Sequence, residues 1–431
     1  MGKPTEASWY GPLKVIDPNS PFHLQTVFIH INESGVISDI QSEHPAEHLP
    51  LKSFEGKHTM VSPGWMDMEV HLNTPGFEFK ENLNELAEAA FKGGFTSILC
   101  YPNTDPVIDK AIPLQSLKQQ SQHLPLNIHF TGCVSEHNKG KELAELYEMH
   151  THGALAFTDG IHPIQREELL GRALRYMRSF DGLMIHHTMS ANLMHDGQIN
   201  EGIMSLQLGM VPIPEVAETS SLLRDLEILA YEEGKMHVQP VSSPKVLDEL
   251  ARKKEELSLS VGMPAYYLHF SEEELVSFDT NLKVIPPLRS KKQIQELLNH
   301  TKQGTVDVLT TGHRAQGIEE KQLEFPLAEA GMLGLQTFLH TLNTSLIGKS
   351  ILSWSEIIEK IAINPRKILQ LDIPHINIGS VAELTMFDPD KEWIFNSGDI
   401  PSRAKNSPLL GQTLKGKIEG IFVNGQWLSR N

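Results

Sequence analysis

Short apolar runs alternate with longer amphipathic stretches through the middle of this chain. The runs span residues 65–71, 96–102, 128–134, 155–159, 183–187, 237–241, 257–263 and 306–312. The stretches between them predict helices over residues 82–91, 141–150, 166–179, 215–233, 244–254 and 291–300. This alternation is typical of βα units around a parallel sheet. Eight such units predict a closed (β/α)₈ barrel.

The two ends of the chain have a different pattern. They carry short β-type runs at residues 26–31, 36–40, 382–387 and 418–423, separated by glycine, proline and asparagine. Asn424-Gly425 follows the last run and is a strong signal for a hairpin turn. We therefore expect residues 1–62 and 376–431 to form one small β-domain beside a barrel of residues 63–375.

Composition and charge narrow the possible partners and location. The 37 basic and 54 acidic residues give a net charge of −17, which repels nucleic acid and anionic membranes. No apolar run approaches the roughly 18 residues needed for a membrane span, and the N-terminus lacks the apolar core of a secretory signal. Cys100 and Cys133 are too few for a disulfide framework. These features predict a soluble cytoplasmic protein that binds neither nucleic acid nor membranes.

The ends of the predicted strands carry the first chemical signal. Active sites of such barrels lie at the C-terminal ends of the strands. The first strand ends in Asp67-Met68-Glu69-Val70-His71, and side chains two residues apart point to the same side of a strand. Glu69 and His71 are therefore expected to face the barrel axis together, where they could share a metal ion.

Several motifs resemble those of one enzyme family. Pro63-Gly64-Trp65-Met66-Asp67-Met68-Glu69-Val70-His71 resembles the first-strand signature of dihydroorotases, in the amidohydrolase superfamily. The resemblance covers nearly the whole chain and continues in order through Pro102-Asn103-Thr104, Asn200-Glu201-Gly202, Pro286-Pro287-Leu288-Arg289 and Asn364-Pro365-Arg366. It implies an amidohydrolase-type barrel that hydrolyses a cyclic amide with two zinc ions, or sometimes one. Such ions polarise the carbonyl and activate water.

Only part of the metal set that this resemblance implies is retained. Glu69 replaces the first histidine of the family's His-x-His motif, and His71 matches the second. Asp159 matches the carboxylate of the fourth strand. His187 matches the histidine of the fifth strand, with His186 as a competing assignment. The resemblance thus leaves Glu69, His71, Asp159 and His187 as residual metal ligands.

The remaining reactive positions are changed. Pro240 stands where the family has a histidine ligand on the sixth strand. Thr311-Gly312-His313-Arg314-Ala315-Gln316 matches the family's Thr-Asp-His-Ala-Pro-His, so Gly312 replaces the aspartate that serves as general acid and base. Losing such a base typically costs about 10²–10⁴ in rate. We assign no catalytic residue, with His313 as the alternative proton donor.

The substrate-binding set is also altered. The family's carboxylate-binding arginine corresponds to Asn73, the asparagine before Pro-Pro to Ile285, and the strand-eight loop histidine to Gln316. Only Asn103 matches. An arginine clamps a carboxylate through two charge-assisted hydrogen bonds, which a neutral asparagine cannot reproduce.

The leading hypothesis is a non-catalytic dihydroorotase-like protein of pyrimidine biosynthesis without a cofactor. Some members resembling this type scaffold aspartate carbamoyltransferase, and barrels of this family are often dimers. The alternative is an active cyclic amidohydrolase, dihydroorotase-like or hydantoinase-like, with one zinc or other divalent metal on Glu69, His71, Asp159 and His187. A small-molecule sensor that uses the altered pocket is a third hypothesis.

Overall fold

The computed structural model describes residues 6–46, 50–54 and 58–430. The strands are β1 (Ser8–Val15), β2 (Thr26–Ile31), β3 (Ile37–Gln41), β4 (Leu51–Lys52), β5 (Met60–Pro63), β6 (Trp65–His71), β7 (Phe95–Tyr101), β8 (Asn127–Gly132), β9 (Ala154–Phe157), β10 (Met184–His186), β11 (Ile199–Asn200), β12 (Pro212–Ile213), β13 (Met236–Val238), β14 (Leu259–Pro264), β15 (Val308–Thr310), β16 (Leu384–Ile394), β17 (Thr413–Val423) and β18 (Gln426–Ser429).

The helices lie mainly between the strands of the middle region. They are α1 (Leu83–Lys92), α2 (Ala111–Ser121), α3 (Leu146–Thr151), α4 (Glu167–Arg178), α5 (Ala191–Met194), α6 (Ile203–Leu208), α7 (Val216–Glu232), α8 (Pro244–Lys253), α9 (Lys291–Lys302), α10 (Ile318–Lys321), α11 (Phe338–Leu342), α12 (Trp354–Ile358) and α13 (Asn364–Ile368). No helix in these described ranges is long and apolar enough to cross a membrane.

Eight parallel strands form the barrel, in the order β15, β14, β13, β10, β9, β8, β7 and β6. The ring closes just beyond β15, where the backbone N–H of His71 donates to the carbonyl of His313 at 2.9 Å. Val70 pairs with the same residue in parallel. Each of the eight predicted runs contains or overlaps one of these strands, so the predicted barrel is confirmed.

Local sequence fixes where several helices begin. The Asn82 side chain accepts hydrogen bonds from the backbone N–H groups of Asn84 and Glu85, and the Glu85 carboxylate accepts one from the backbone N–H of Asn82. The predicted helix over residues 141–150 is wrong in its first half, since α3 begins only at Leu146. Leu143 instead forms an antiparallel bridge with Ser135, which pairs this segment with the loop after β8.

A second sheet combines strands from both ends of the chain. Its order is β18, β17, β16, β5, β1, β2 and β3, with β4 also paired to β1. Asn424 and Gly425 form the predicted two-residue turn between β17 and β18, with positive φ values of 51° and 70°. The domain limits at residues 62 and 376 stay a prediction.

Trp65 and Arg366 lie where the barrel meets the second sheet. The ring of Trp65 is buried, with its centroid 6.0 Å from that of Phe95 on β7 and 5.3 Å from that of Phe387 on β16. Arg366 is also buried and donates to the carbonyls of Gly64 and Ala362 at 2.7 Å. These contacts hold the first barrel strand against the sheet and so help to position the barrel mouth.

Candidate active site at the barrel mouth

A cavity of about 380 Å³ opens at the C-terminal ends of the barrel strands. Six of the positions singled out in the sequence line it, namely Glu69, His71, His187, Pro240, Ile285 and Gly312. A neighbouring cavity of about 250 Å³ is lined by Asn73, Asn103 and Gln316. The fold therefore gathers most of the predicted site at one mouth.

Glu69 lies at the floor of the larger cavity as a buried acid. Its Oε2 accepts a hydrogen bond of 2.8 Å from the hydroxyl of Thr310. Burial raises the pKa of Glu69 to about 8, and nearby Asp67 adds to the rise. The carboxyl therefore holds a proton more readily than an exposed glutamate does.

Asp67 is a buried acid that the sequence argument did not assign. It accepts hydrogen bonds from the hydroxyl of Thr311 and, at 3.0 Å, from the backbone of Glu69. Burial raises its pKa to about 6. Because Thr311 directly follows β15, these bonds join β6 to the chain segment at which the barrel closes.

The histidines of the site are neutral. The ring of His71 packs edge-on against Tyr101, and burial lowers its pKa well below the usual value. Burial also lowers the pKa of His187 to about 3. Of the competing pair on the fifth strand, only His187 lines the cavity. The Nε2 atom of His186 instead lies 2.9 Å from a carboxylate oxygen of buried Asp225.

Asp159, the fourth proposed ligand, is turned away from the cavity. Its Oδ1 accepts hydrogen bonds from the backbone N–H groups of Val134 and Ser135, at 2.9 and 3.0 Å. Its Oδ2 accepts a third bond from the Ser135 hydroxyl. Burial raises the pKa of Asp159 to about 6. The structure thus brings Glu69, His71 and His187 together and leaves Asp159 outside their cavity.

Gly312 closes the eighth strand with a left-handed backbone, at a φ of 58°. A Cβ atom there would lie 2.7 Å from the Cε1 atom of Tyr266. The buried ring of Tyr266 therefore fills the space beside this position and lines the cavity. Only glycine suits both the backbone and the neighbouring ring.

His313, the alternative proton donor, is engaged elsewhere. Its side chain is fully buried, and its Nε2 lies 3.1 Å from a carboxylate oxygen of Glu81. Its Nδ1 accepts a hydrogen bond from the backbone of Gly334. Because His313 lines neither cavity, its geometry does not favour proton transfer to a ligand at the mouth.

The smaller cavity differs from the larger one in its polar groups. The Nδ2 atom of Asn73 and the Oδ1 atom of Asn103 are buried and have no hydrogen-bond partner among the described residues. Both polar atoms of the Gln316 side chain are hydrogen-bonded: Oε1 accepts from Lys80, and Nε2 donates to the carbonyl of Ala330, both at 2.8 Å. Asn73 and Asn103 are thus the groups left available for a ligand.

Arg314 was not assigned from the sequence and lines both cavities. The sequence could have drawn attention to it, because this arginine stands where the family motif has alanine. Its positive charge lowers the pKa of His71 further, after burial. A guanidinium at the mouth adds a positive charge, which disfavours the binding of a metal cation there.

The residues at the mouth do not fit a metal centre. In the part of the chain that the structure describes, no three histidine, cysteine or acidic side chains are placed to hold an ion together. Asp159 is bound to a loop, Pro240 and Gly312 offer no ligand side chain, and Arg314 would repel a divalent cation. This donor set disagrees with the zinc chemistry that the resemblance implies.

The closed parallel barrel, its mouth cavity and the sheet built from both chain ends define an amidohydrolase-type fold. The L-hydantoinase (dihydropyrimidinase) from Arthrobacter aurescens matches this fold with a TM-score of 0.85 at 20% identity, over 99% of this chain and 96% of its own. The dihydropyrimidinase from Brevibacillus agri NCHU1002 matches with a TM-score of 0.81 at 16% identity, covering 99% and 95%.

Sequence comparison identifies the family within that class. Residues 58–244 match the dihydro-orotase-like family model. The chain is 34% identical to the dihydroorotase of Syntrophus aciditrophicus, over 96% of this chain and 97% of that one. It is 32% identical to the dihydroorotase of Geobacter metallireducens, over the same shares. The chain therefore belongs to the dihydroorotase-like family, and the resemblance drawn from its motifs is confirmed.

Proposed function

We propose that this protein is a non-catalytic member of its family that scaffolds aspartate carbamoyltransferase in pyrimidine biosynthesis. The observation that carries the proposal is Gly312, beside which the Tyr266 ring occupies the space for a side chain. No carboxylate at that position can transfer a proton during ring opening. A missing general base lowers rates by about 10²–10⁴.

The altered metal positions support the proposal independently. Pro240 offers no ligand atom, Asp159 is bound to the loop after β8, and Arg314 brings a positive charge to the mouth. We therefore propose that the protein works without a cofactor. A cytoplasmic location is part of the proposal, because Cys100 and Cys133 are buried free thiols.

Helix α6 offers a surface for the partner. Ile203 and Leu206 lie three residues apart, on one face of the helix, and are 73% and 85% exposed. Adjacent Met204 and Ser205 are buried and fix the opposite face. Two large apolar side chains exposed together suit a protein contact better than contact with water.

Activity and metal content provide the first test. The purified protein, loaded in turn with zinc and manganese, is assayed for hydrolysis of dihydroorotate and hydantoin. The dihydroorotase of Syntrophus aciditrophicus serves as the active reference. We expect rates at least about 10² below the reference and well under one bound metal ion per chain. Rates equal to the reference would overturn the proposal.

Association with the transferase provides the second test. Sedimentation of the two purified proteins at micromolar concentration should reveal a complex. L206E should weaken that complex by placing a charge in its apolar contact. I378E, at another exposed apolar residue far along the chain, is the matched control and should leave it intact. Failure of the unmodified proteins to associate would refute the scaffolding role.

An active hydrolase with a single metal is the rival function. The observation in its favour is that Glu69, His71 and His187 line one cavity and the Nε2 atom of His187 has no described partner. Such a site would contain near-stoichiometric zinc, manganese or iron in the purified protein. Metal content together with hydrolysis therefore separates the two functions.

A further inference from the structure

The exposed tyrosines of this chain lie together on the outer wall of the barrel. Of the seven tyrosines, four are buried, and the other three are Tyr147 on α3, Tyr176 on α4 and Tyr231 on α7, with exposed fractions of 53%, 43% and 80%. The rings of Tyr147 and Tyr176 pack against the same ring, that of Phe180, at centroid distances of 5.6 and 5.9 Å. Because tyrosine is enriched in protein contact surfaces, this clustering favours a contact on that wall.

A groove of about 480 Å³ lies between α4 and α7 on the same wall, and Tyr231 lines it. Gly171 of α4 keeps the groove open, since a Cβ atom there would lie 3.6 Å from the Cγ2 atom of Ile228 and 3.3 Å from the Oε1 atom of Glu232. None of the residues that line the groove lines either cavity at the mouth. The groove is therefore a feature of the outer surface, separate from the candidate active site.

The two helices carry opposite charges along this groove. Arginines recur at every third residue in the second half of α4, and glutamates gather at the end of α7; these residues are Arg172, Arg175, Arg178, Glu227, Glu232 and Glu233. Two pairs form within the chain, Arg175 with Glu232 at 2.6 Å and Arg178 with Glu233 at 2.9 Å. Glu167 and Glu168, at the start of α4, also lie beside arginines, at 3.6 and 3.3 Å.

Arg172 and Glu227 are the charges that this pairing leaves over. The Nε atom of Arg172 is buried and has no hydrogen-bond partner among the described residues, and the ion-pair contacts of its guanidinium are long, at 3.5 and 3.8 Å. Glu227 is exposed and forms no ion pair within 4.0 Å in the described part of the chain. Both residues line the groove at the same level, because Gly171, next to Arg172, faces Ile228, next to Glu227.

This arrangement of charges is complementary to a second copy of itself. The helices α4 and α7 run in the same direction, since α4 connects β9 to β10 and α7 connects β10 to β13, which are neighbouring parallel strands. A two-fold axis through the groove lays α4 of one copy across α7 of the other, so the arginine side of each copy meets the glutamate side of its partner. An axis at the level of Arg172 brings this residue to Glu227 of the partner subunit and forms that pair twice.

We infer that the face formed by α4 and α7 is an interface with a second copy of this chain. Tyr176 and Tyr231 are its apolar anchors, and Arg172 pairs with Glu227 of the partner subunit on both sides of the two-fold axis. Tyrosine and arginine are the residues that contribute most to such contacts when they are covered by a partner. The inference uses no residue of the mouth or of α6, and it does not depend on the scaffolding role.

Exchange of the two charges tests the geometry. Sedimentation velocity of the full chain, from about 1 to about 100 μM, should show a dimer for the parent. R172E and E227R should each be monomeric over this range, because each places like charges opposite one another twice. An equimolar mixture of R172E with E227R should form a dimer again, since opposite charges then meet at both contacts. R403E, at an exposed arginine between β16 and β17, is the matched control and should sediment as the parent does.

Truncation of Tyr231 tests the apolar anchor. Y231A should weaken self-association at least about tenfold, because a large aromatic surface at the contact is lost. F79A removes another exposed aromatic ring, which lies in the loop after β6 and outside this face, and it should leave the association constant unchanged. Circular dichroism of each variant verifies folding. A folded Y231A protein that associates as tightly as the parent would refute the role of the tyrosine.

Each outcome of the charge exchange decides for or against this interface. A parent that stays monomeric throughout the range would overturn the inference, and so would a dimer that persists in both R172E and E227R. Two monomeric variants whose mixture also stays monomeric would overturn the two-fold pairing of Arg172 with Glu227. Restoration of the dimer in the mixture alone would support it. No transferase enters these measurements, so their failure leaves the proposed function to its own tests.

Discussion

The hydroxyl of Ser135 donates a hydrogen bond of 2.5 Å to the Oδ2 atom of Asp159, and both residues are buried. Two backbone N–H groups bind the other carboxylate oxygen. The loop after β8 thus donates hydrogen bonds to both oxygens of a carboxylate that the family resemblance would assign to a metal. Asp159 acts in this chain as an anchor for that loop.

Ser135→Ala should destabilise the protein by about 1–3 kcal/mol, because it leaves a buried carboxylate short of one donor. Urea unfolding followed by circular dichroism measures the change. Ser116→Ala, on the exposed side of α2, is the control and should change stability by less than about 0.5 kcal/mol. Equal midpoints for S135A and the parent would show that the hydroxyl does not support the carboxylate.

Gly312→Ala should destabilise the protein more than Gly140→Ala. Both glycines have left-handed backbones, with φ values of 58° and 63°, so each alanine costs about 1–2 kcal/mol. Only at Gly312 would the new Cβ meet Tyr266, whereas nothing lies within 4 Å of it at Gly140. The difference between the two denaturation midpoints measures the ring contact. Equal losses would contradict it.

Glu218→Gln should destabilise the protein by about 3–5 kcal/mol, because it leaves the buried Arg289 guanidinium without its counter-ion. The Nη2 atom of Arg289 lies 2.8 Å from the Oε2 atom of Glu218, and both side chains are 1% exposed. Glu232→Gln breaks a pair whose arginine, Arg175, is 61% exposed, and it should cost less. A larger loss in E232Q than in E218Q, measured by urea unfolding, would refute this ranking.

His237→Gln should make the protein more resistant to acid than the parent. Burial lowers the pKa of His237 to about 4. The unfolded chain therefore binds a proton that the folded chain refuses, and the parent loses stability as the pH falls from about 6.5 toward 4. Unfolding midpoints across this range should fall more steeply for the parent than for H237Q. His123→Gln, at an exposed histidine, should follow the parent, and parallel curves for all three proteins would contradict the prediction.

Several residues of the motifs that identify the family make buried structural contacts in this chain. Asn200 and Arg289 belong to segments that identify the family. In this chain Arg289 donates to the side-chain oxygen of Asn200 and to the carboxylate of Glu218, within a buried network. Arg366, from the C-terminal motif, joins the first barrel strand to α13 and the second sheet. These motif residues have structural contacts that do not depend on the lost chemistry.

The sequence by itself determined the barrel, the pairing of the chain ends and the gathering of Glu69, His71 and His187. Strand and turn patterns reflect local burial and backbone preference, which are read from neighbouring residues. Parallel strands then bring their C-terminal ends to one mouth by geometry alone. The identities of Pro240 and Gly312 were also sufficient to exclude two expected ligands.

Only the tertiary structure decided which polar groups at the mouth remain available. Periodicity places Asp159 near the end of a strand, but the loop after β8 decides that its carboxylate binds Ser135. His237 is fully buried, and its two ring nitrogens lie within hydrogen-bond distance of the side chains of Ser260 and Gln239. Hydrogen-bond partners distant in sequence settle these outcomes, and local pattern carries no information about them.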